Sequence, residues 1–220
     1  MKIILQGYRG KMGQIVKKEL EKSFSLILVD FDAPMTQVEE KDILAIVDFS
    51  SKEGFNQAFQ YALKHHLPLI SGTTGMSEEE LLEVKRKSEE EGIPVYVVAN
   101  FLPIFSLWKK VLPLIAENYT SITLEEVHHQ SKKDAPSGTA KELLRMLPKE
   151  KVTSITAVRE EGYLYRHTIT FYSPYDSFTM THQCYDKIGY AKGVLKALAD
   201  LQFVGLRTEL PWKNTTYISK

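Results

Sequence analysis

The sequence predicts an α/β protein in two parts: a parallel sheet layered between helices, and an α+β part built on a mixed sheet. Three observations predict it. Short, wholly apolar runs alternate with helical periodicity from the start to about residue 100, the pattern of a parallel sheet buried on both faces. Beyond residue 100 the strand-like runs cluster, with one clear helix among them, as in α+β folds. Helical spacing then resumes at Tyr190, which suggests that the chain returns to its first part.

The elements follow in order. Residues 2–6 are an apolar run closed by Gly7, hence a strand, and residues 11–21 place Met12, Ile15, Val16 and Leu20 on one helical face. Strands are expected at 26–29, closed by Asp30, and at 43–49. Between them Pro34, Glu39 and Glu40 interrupt any helix in the link 31–42, which is close to the shortest parallel crossover. Ser50 or Ser51 caps a helix to about Lys64, and 67–70 is a fourth strand. Ser77 and Glu80 form a capping box for a helix that Gly92 ends, followed by a strand at 95–99. A helix at 107–115 opens the second part. Strands follow at 121–129, 152–159, 167–172 and 177–183, with a helix at 140–147 and a last one at 190–205. The expected domains are therefore 1–101 with 188–220, and 102–187.

Composition narrows the function. With 43% hydrophobic and 25% charged residues the chain reads as globular. Lys plus Arg and Asp plus Glu are 28 each, so the basic excess of a phosphate-neutralising nucleic-acid binder is missing. A single cysteine, Cys184, allows no internal disulfide and points to a reducing compartment. No run reaches the length of a membrane span, and residues 1–13 carry too short an apolar stretch for a signal peptide. The expectation is a soluble cytoplasmic protein with no nucleic-acid or membrane partner.

The first turn reads Gly7-Tyr8-Arg9-Gly10-Lys11-Met12-Gly13. Three glycines between a strand and a helix allow a sharp turn, a close approach to a pyrophosphate, and tight helix–sheet packing, as in Rossmann-like domains. The helix N-terminus adds N–H groups and a positive dipole. A glycine triplet alone could be a bare turn; the strand, the helix and the acid closing the second strand give it context. Asp30, 23 residues after Gly7, is placed to accept from ribose hydroxyls, with Asp32 as a rival. No Lys or Arg follows Asp30 until Lys41, which favours NADH over NADPH, although Arg9 and Lys11 lie nearby. Further loops fall at strand ends, where ligands of open sheets bind: Asp48-Phe49-Ser50, Gly72-Thr73-Thr74-Gly75 and Ala99-Asn100-Phe101.

The second part carries the chemistry. Residues 126–140 read E-V-H-H-Q-S-K-K-D-A-P-S-G-T-A. Ser137 or Thr139 can cap the helix that follows, whose free N–H groups suit a carboxylate or phosphate, with Lys132 and Lys133 beside it. On a strand His128 and His129 point to opposite faces, so they are poor joint ligands for one metal. A histidine facing a ligand can donate a proton. The bland alternative is a surface strand and a solvated lysine loop. No CxxC and no i,i+4 histidine pair is present, so no metal is expected, and G-x-S-x-G is absent.

Together, G-Y-R-G-K-M-G, D-F-S, G-T-T-G, A-N-F and above all H-H-x-x-K-x-D-A-P-S-G-T-A resemble the 4-hydroxy-tetrahydrodipicolinate (dihydrodipicolinate) reductases of lysine and diaminopimelate biosynthesis. The resemblance implies NADH- or NADPH-dependent reduction of a small cyclic dicarboxylate to tetrahydrodipicolinate by a homotetramer. It implies that His128 is the proton donor and that Lys132 is catalytic or orients the substrate. His129, Ser137, Gly138 and Thr139 would bind substrate carboxylates. The cofactor would meet Gly7, Arg9, Gly10, Lys11, Met12, Gly13, Asp30, Phe49, Gly72, Thr73, Thr74, Ala99, Asn100 and Phe101. Arg159, Gly162 and His167 also match the family's R, G and H. The chain departs from the family in Leu102-Pro103-Ile104, where N-F-S-x-G is usual, in Tyr165 for a glycine, and in Gln183 and Lys187 for arginines. Two other readings stay open from the residues themselves: a dehydrogenase of another small amino or imino acid, and a non-catalytic NAD(H)-binding sensor.

Overall fold

The computed structural model describes residues 1–30, 35, 38, 41–162 and 164–211. The chain divides into two compact units, Met1–Pro103 with Lys187–Lys220, and Ile104–Asp186.

The first unit alternates β1 (Lys2–Gln6), α1 (Lys11–Leu20), β2 (Ser25–Val29), β3 (Ile43–Asp48), α2 (Lys52–His65), β4 (Leu69–Ser71), α3 (Glu78–Glu90) and β5 (Pro94–Val97). Its sheet is wholly parallel, with β1 between β2 and β3, and β4 and β5 following outward. The strands alternate sides, and both sides are covered. Ile3 and Leu5 pack in one cluster with Val16 of α1; Ile4 and Ile46 pack in the other with Phe55 and Phe59 of α2 and Val84 of α3. All of these side chains are at most 5% exposed, and each buried side chain of this size contributes roughly 1.5–3 kcal/mol. Ser51 caps α2 by accepting from Gly54 N–H. Ser77 and Glu80 form the expected capping box of α3, and Gly92 beyond it has φ +68°.

The second unit has α4 (Pro103–Glu117), β6 (Ser121–His128), α5 (Gly138–Arg145), β7 (Val152–Arg159), β8 (Tyr165–Tyr172) and β9 (Ser177–Cys184). Its four-stranded sheet runs β7-β6-β8-β9: β6 and β7 are parallel, the other pairs antiparallel. The chain then adds α6 (Ile188–Leu198) and β10 (Gly205–Arg207) to the first unit. Ala191 and Val194 of α6 are fully buried in the same cluster as Ile3 and Leu5.

Several expected elements differ in extent. The last helix stops at Leu198 rather than 205, and residues 205–207 are a sixth parallel strand that pairs with β5 at the sheet edge. Three residues carry too little periodicity to read as a strand; pairing with Pro94–Tyr96 makes them one. α4 starts at Pro103, four residues early, because a proline's fixed φ suits the first helical position. β8 begins at Tyr165, two residues early, where it pairs with His128. α5 runs from Gly138 to Arg145 rather than 140–147. Asp32, Pro34, Glu39 and Glu40 lie outside the described residues.

Candidate active site

The glycine loop is shaped by what it lacks. Gly7 follows β1 at φ +76°, and a Cβ there would lie 2.4 Å from the Phe49 carbonyl oxygen. A Cβ on Gly13 would lie 2.0 Å from the Gly7 carbonyl oxygen. Gly10 is the extended N-cap of α1, with no side chain bonded to the helix end and no acid in the first turn. A bare backbone turn against an uncapped helix N-terminus fits a dinucleotide pyrophosphate. Arg9 and Lys11 are exposed and Met12 half-buried beside it.

Asp30 directly follows β2, and Arg9 Nε lies 2.7 Å from its Oδ2. The cation noted near the ribose position is thus paired with the acid expected to bind that ribose. The other strand-end loops are tied together by Asp48, which is fully buried. Its Oδ2 accepts from Ser71 Oγ at 2.7 Å and Thr73 Oγ1 at 2.8 Å, and its Oδ1 from the Ser50 N–H at 3.1 Å. Burial pushes the Asp48 carboxyl up, against these donors. The Thr73 hydroxyl is therefore engaged inward, while Thr74 and Ala99 are exposed. Gly72 leaves room for the Phe49 ring, which a Cβ would meet at 2.3 Å. Phe49 packs on Phe101, ring centres 5.4 Å apart. Phe101 is 1% exposed and belongs to the core. Asn100 Oδ1 accepts from Leu102 N–H at 3.0 Å and shapes the turn into α4.

In the second unit β6 delivers Glu126 and His128 to one buried face, two residues apart, and β8 brings His167 opposite Glu126. The Glu126 carboxylate is fully buried. Both its oxygens accept from Ser137 N–H, at 3.1 and 3.0 Å, and Oε1 also accepts from Arg159 Nη2 at 3.2 Å. Its Oε2 lies 3.6 Å from His128 Nδ1 and 3.7 Å from His167 Nε2. Ser137 caps α5 by accepting from Ala140 N–H and meets His167 Nε2 at 3.2 Å. The cap is thus Ser137 rather than Thr139. Gly138 and Thr139 form the first turn, where backbone N–H groups have no helical partner. His129 is half-buried with Nδ1 2.8 Å from Ser131 Oγ, and Lys132 Nζ lies 2.8 Å from Asp134 Oδ1.

Burial lowers His128 to about 4; Glu126 opposes the shift, while Lys132 and Arg159 add to it. Burial also lowers His167 to about 4, followed by repulsion from His128. At Glu126 burial pushes upward, but Ser137, His128 and Arg159 outweigh it and hold the carboxyl below its usual range. Tyr165 stacks on the His128 ring, centres 5.8 Å apart.

Sequence spacing missed this cluster. Ligand-capable atoms of Glu126, His128 and His167 all lie within 4.8 Å of one another. Helical and CxxC spacings could not reveal it, because E-x-H on a strand and a histidine on its neighbour make the grouping. The Arg159 guanidinium and the Ser137 N–H already occupy the carboxylate, which favours a hydrogen-bonded cluster over a cation site. Asp48 stands in the sequence only as part of a strand-end loop; an acid closing an apolar strand is the one signal of its buried role.

Comparison with known proteins finds relatives over residues 1–101 and 103–208. Residues 1–101 match the model described as dihydrodipicolinate reductase, N-terminus, and residues 103–208 the one described as its C-terminus. A 4-hydroxy-tetrahydrodipicolinate reductase of Caldanaerobacter subterraneus is 30% identical, over 90% of this chain and 91% of that one. One from Campylobacter jejuni is 29% identical, over 89% and 91%. In fold, the chain resembles the dipicolinate-bound dihydrodipicolinate reductase of Paenisporosarcina sp. TG-14, with TM-score 0.79, 19% identity and coverage of 95% and 97%. It resembles an aspartate dehydrogenase of Thermotoga maritima less, with TM-score 0.55, 16% identity and coverage of 92% and 97%. The chain belongs to the dihydrodipicolinate reductase family, oxidoreductases that use a nicotinamide cofactor.

Proposed function

We propose that this chain performs its family's reaction, the NAD(P)H-dependent reduction of 4-hydroxy-tetrahydrodipicolinate in lysine biosynthesis, with His128 as proton donor and Lys132 as the substrate's cationic anchor. The observation that carries this reading is the grouping of His128, Lys132 and the first turn of α5 on one unit, around the buried Glu126.

The nicotinamide cofactor, when bound, supplies the hydride. Everything else falls to the chain. The loop 7–13 and the end of α1 receive the pyrophosphate through backbone N–H groups. Asp30 accepts from the adenosine ribose, which favours NADH; Arg9 is the group that a 2′-phosphate would draw away from Asp30. Phe49, Gly72, Thr73, Thr74, Ala99 and Asn100 line the nicotinamide side, mainly through backbone, since the Thr73 hydroxyl and Asn100 Oδ1 are engaged within the fold.

A dicarboxylate replaces Asp134 as the partner of Lys132, and its second carboxylate meets Gly138 and Thr139 N–H, with His129 beside it. Near pH 7 the ligand-free His128 is neutral, because burial lowers it to about 4. Two arriving negative charges favour the imidazolium, so His128 gains its proton as substrate binds and gives it up during reduction. Lys132 holds the substrate still throughout.

The single cysteine favours a reducing compartment, hence the cytoplasm. A homotetramer follows from the family resemblance, and the exposed face of the β7-β6-β8-β9 sheet, where Tyr172 is 41% exposed, is the surface offered for it. Light scattering at four times 25.1 kDa would support it, and a monomer mass would exclude it.

The test is NADH and NADPH oxidation in an assay coupled to a dihydrodipicolinate synthase, which makes the unstable substrate in place. Rapid chain-dependent oxidation is expected, faster with NADH. No oxidation with NADH still bound would exclude this reaction and leave a dehydrogenase of another small amino or imino acid, or a sensor role.

A further inference from the structure

Glu126 is a carboxylate with no access to solvent, and burying such a group is costly unless it is fully paired. Replacing a buried ion pair by apolar residues often leaves stability unchanged or improved, so fold stability alone is a weak reason for its presence. What distinguishes Glu126 is the set of groups it joins. It stands two residues from His128 on the same strand face, with Oε2 3.6 Å from Nδ1, and His128 Nδ1 is buried with no hydrogen-bond partner at normal distance. It accepts the Ser137 N–H on both oxygens and so holds the last residue before α5. It pairs with Arg159, which donates through Nε to the Lys132 carbonyl at 3.1 Å and through Nη2 to the Asp134 carbonyl. The loop that carries Lys132 is thus attached near both ends to one ion pair, of a fully buried carboxylate and a partly buried guanidinium, and that pair lies against His128.

We propose that Glu126 is a positioning residue of the reaction: one carboxylate orients His128 through Nδ1 and, together with Arg159, sets the loop from Lys132 to Ser137. This rests on the roles of His128 and Lys132 given under the proposed function. With Glu126 at Nδ1, His128 presents Nε2 as its outward nitrogen. The 3.6 Å separation exceeds a formed hydrogen bond; catalytic hydrogen bonds commonly tighten only when ligand binds. The charge matters as much as the geometry. The groups facing His128 are Glu126 on its own strand, Lys132 and Asp134 on the loop, Arg159 on β7, and Tyr165 and His167 on β8. Among them Glu126 is the buried anion, so it offsets two cations and a second imidazole and lets His128 hold a proton.

The experiment compares Glu126→Gln, Glu126→Asp and His128→Gln in the coupled assay, with NADH affinity by fluorescence and a pH profile of kcat. Glu126→Gln should lower kcat about 10²-fold, raise KM for the dicarboxylate and leave NADH affinity unchanged. Its alkaline limb should move to lower pH, because the protonated His128 loses its counter-charge. Glu126→Asp should recover part of the rate. A merely structural glutamate would leave the limb where it is. Should Glu126→Gln fail to fold, nitrogen-15 spectra of the parent decide: a neutral His128 protonated on Nδ1 supports the proposal, and one protonated on Nε2 overturns it. Parent-like kinetics in Glu126→Gln with a crippled His128→Gln overturns this inference alone. A near-normal His128→Gln rate removes the proposed function beneath it.

Discussion

The two units present their candidate sites by opposite physical means. The first makes room by omission: at Gly7, Gly13 and Gly72 an added Cβ would meet backbone or ring atoms at 2.4, 2.0 and 2.3 Å, and the helix end offers bare N–H groups. The second works by burying charge: Glu126, His128 and His167 are at most 6% exposed and are held by Arg159 and Ser137. A site made by omission should fail when atoms are added. A site made of buried charge should fail when a proton or charge is removed.

Substitutions can break or sharpen this contrast. The largest effect is expected at His128. His128→Gln should lower kcat by about 10²–10⁴-fold with NADH affinity intact, as measured by steady-state turnover and fluorescence titration. A normal rate would move the acid role to water. Next comes Lys132→Ala, which should raise KM for the dicarboxylate and lower kcat by roughly 10–100-fold together, given about 1.5–3 kcal/mol for a charged hydrogen bond. Loss of NADH affinity there would show that the division of labour is wrong. Gly13→Ala belongs to the other class: it should cost about 1–3 kcal/mol in urea unfolding and weaken NADH binding, while substrate affinity stays as it was.

The pH response separates the units further. His128 and His167 sit at about 4 in the folded chain against 6.5 when free. Below 6.5 the unfolded chain binds more protons, so the stability these neutral rings contribute is complete above 6.5 and declines as pH falls toward 4. Urea titrations across that window should show the decline, and His167→Gln should flatten it; a slope unchanged by the substitution would assign the acid sensitivity elsewhere. The smallest effect is expected at Arg9. It is 64% exposed, and such ion pairs are worth about 0–1 kcal/mol. Arg9→Ala should leave NADH turnover nearly unchanged and reduce the rate with NADPH several-fold, as about 1 kcal/mol allows. An unchanged ratio would exclude Arg9 as the 2′-phosphate partner.

How legible each site was follows from the same contrast. The glycine loop could be read directly, because Gly7, Gly10 and Gly13 are absences that the sequence itself displays. Ser77 and Glu80 likewise announce a local capping box. The Lys132–Thr139 segment was legible as a continuous motif. Asp48 and Glu126 were not singled out, since their partners lie 23, 25, 33 and 41 residues away, and only the sheet brings them together.

The sequence by itself determined the α/β alternation, the bare turn after the first strand, and the candidate groups proposed above to bind anions and carry protons. Those properties are local: periodicity, capping and missing side chains act over a few residues. The tertiary structure decided that Arg9 meets Asp30, that the Thr73 hydroxyl turns inward to Asp48, that residues 205–207 become an edge strand, and that Glu126 joins His128, His167 and Arg159. Strand pairing sets these, because register places residues of distant sequence opposite one another, and burial then fixes their protonation.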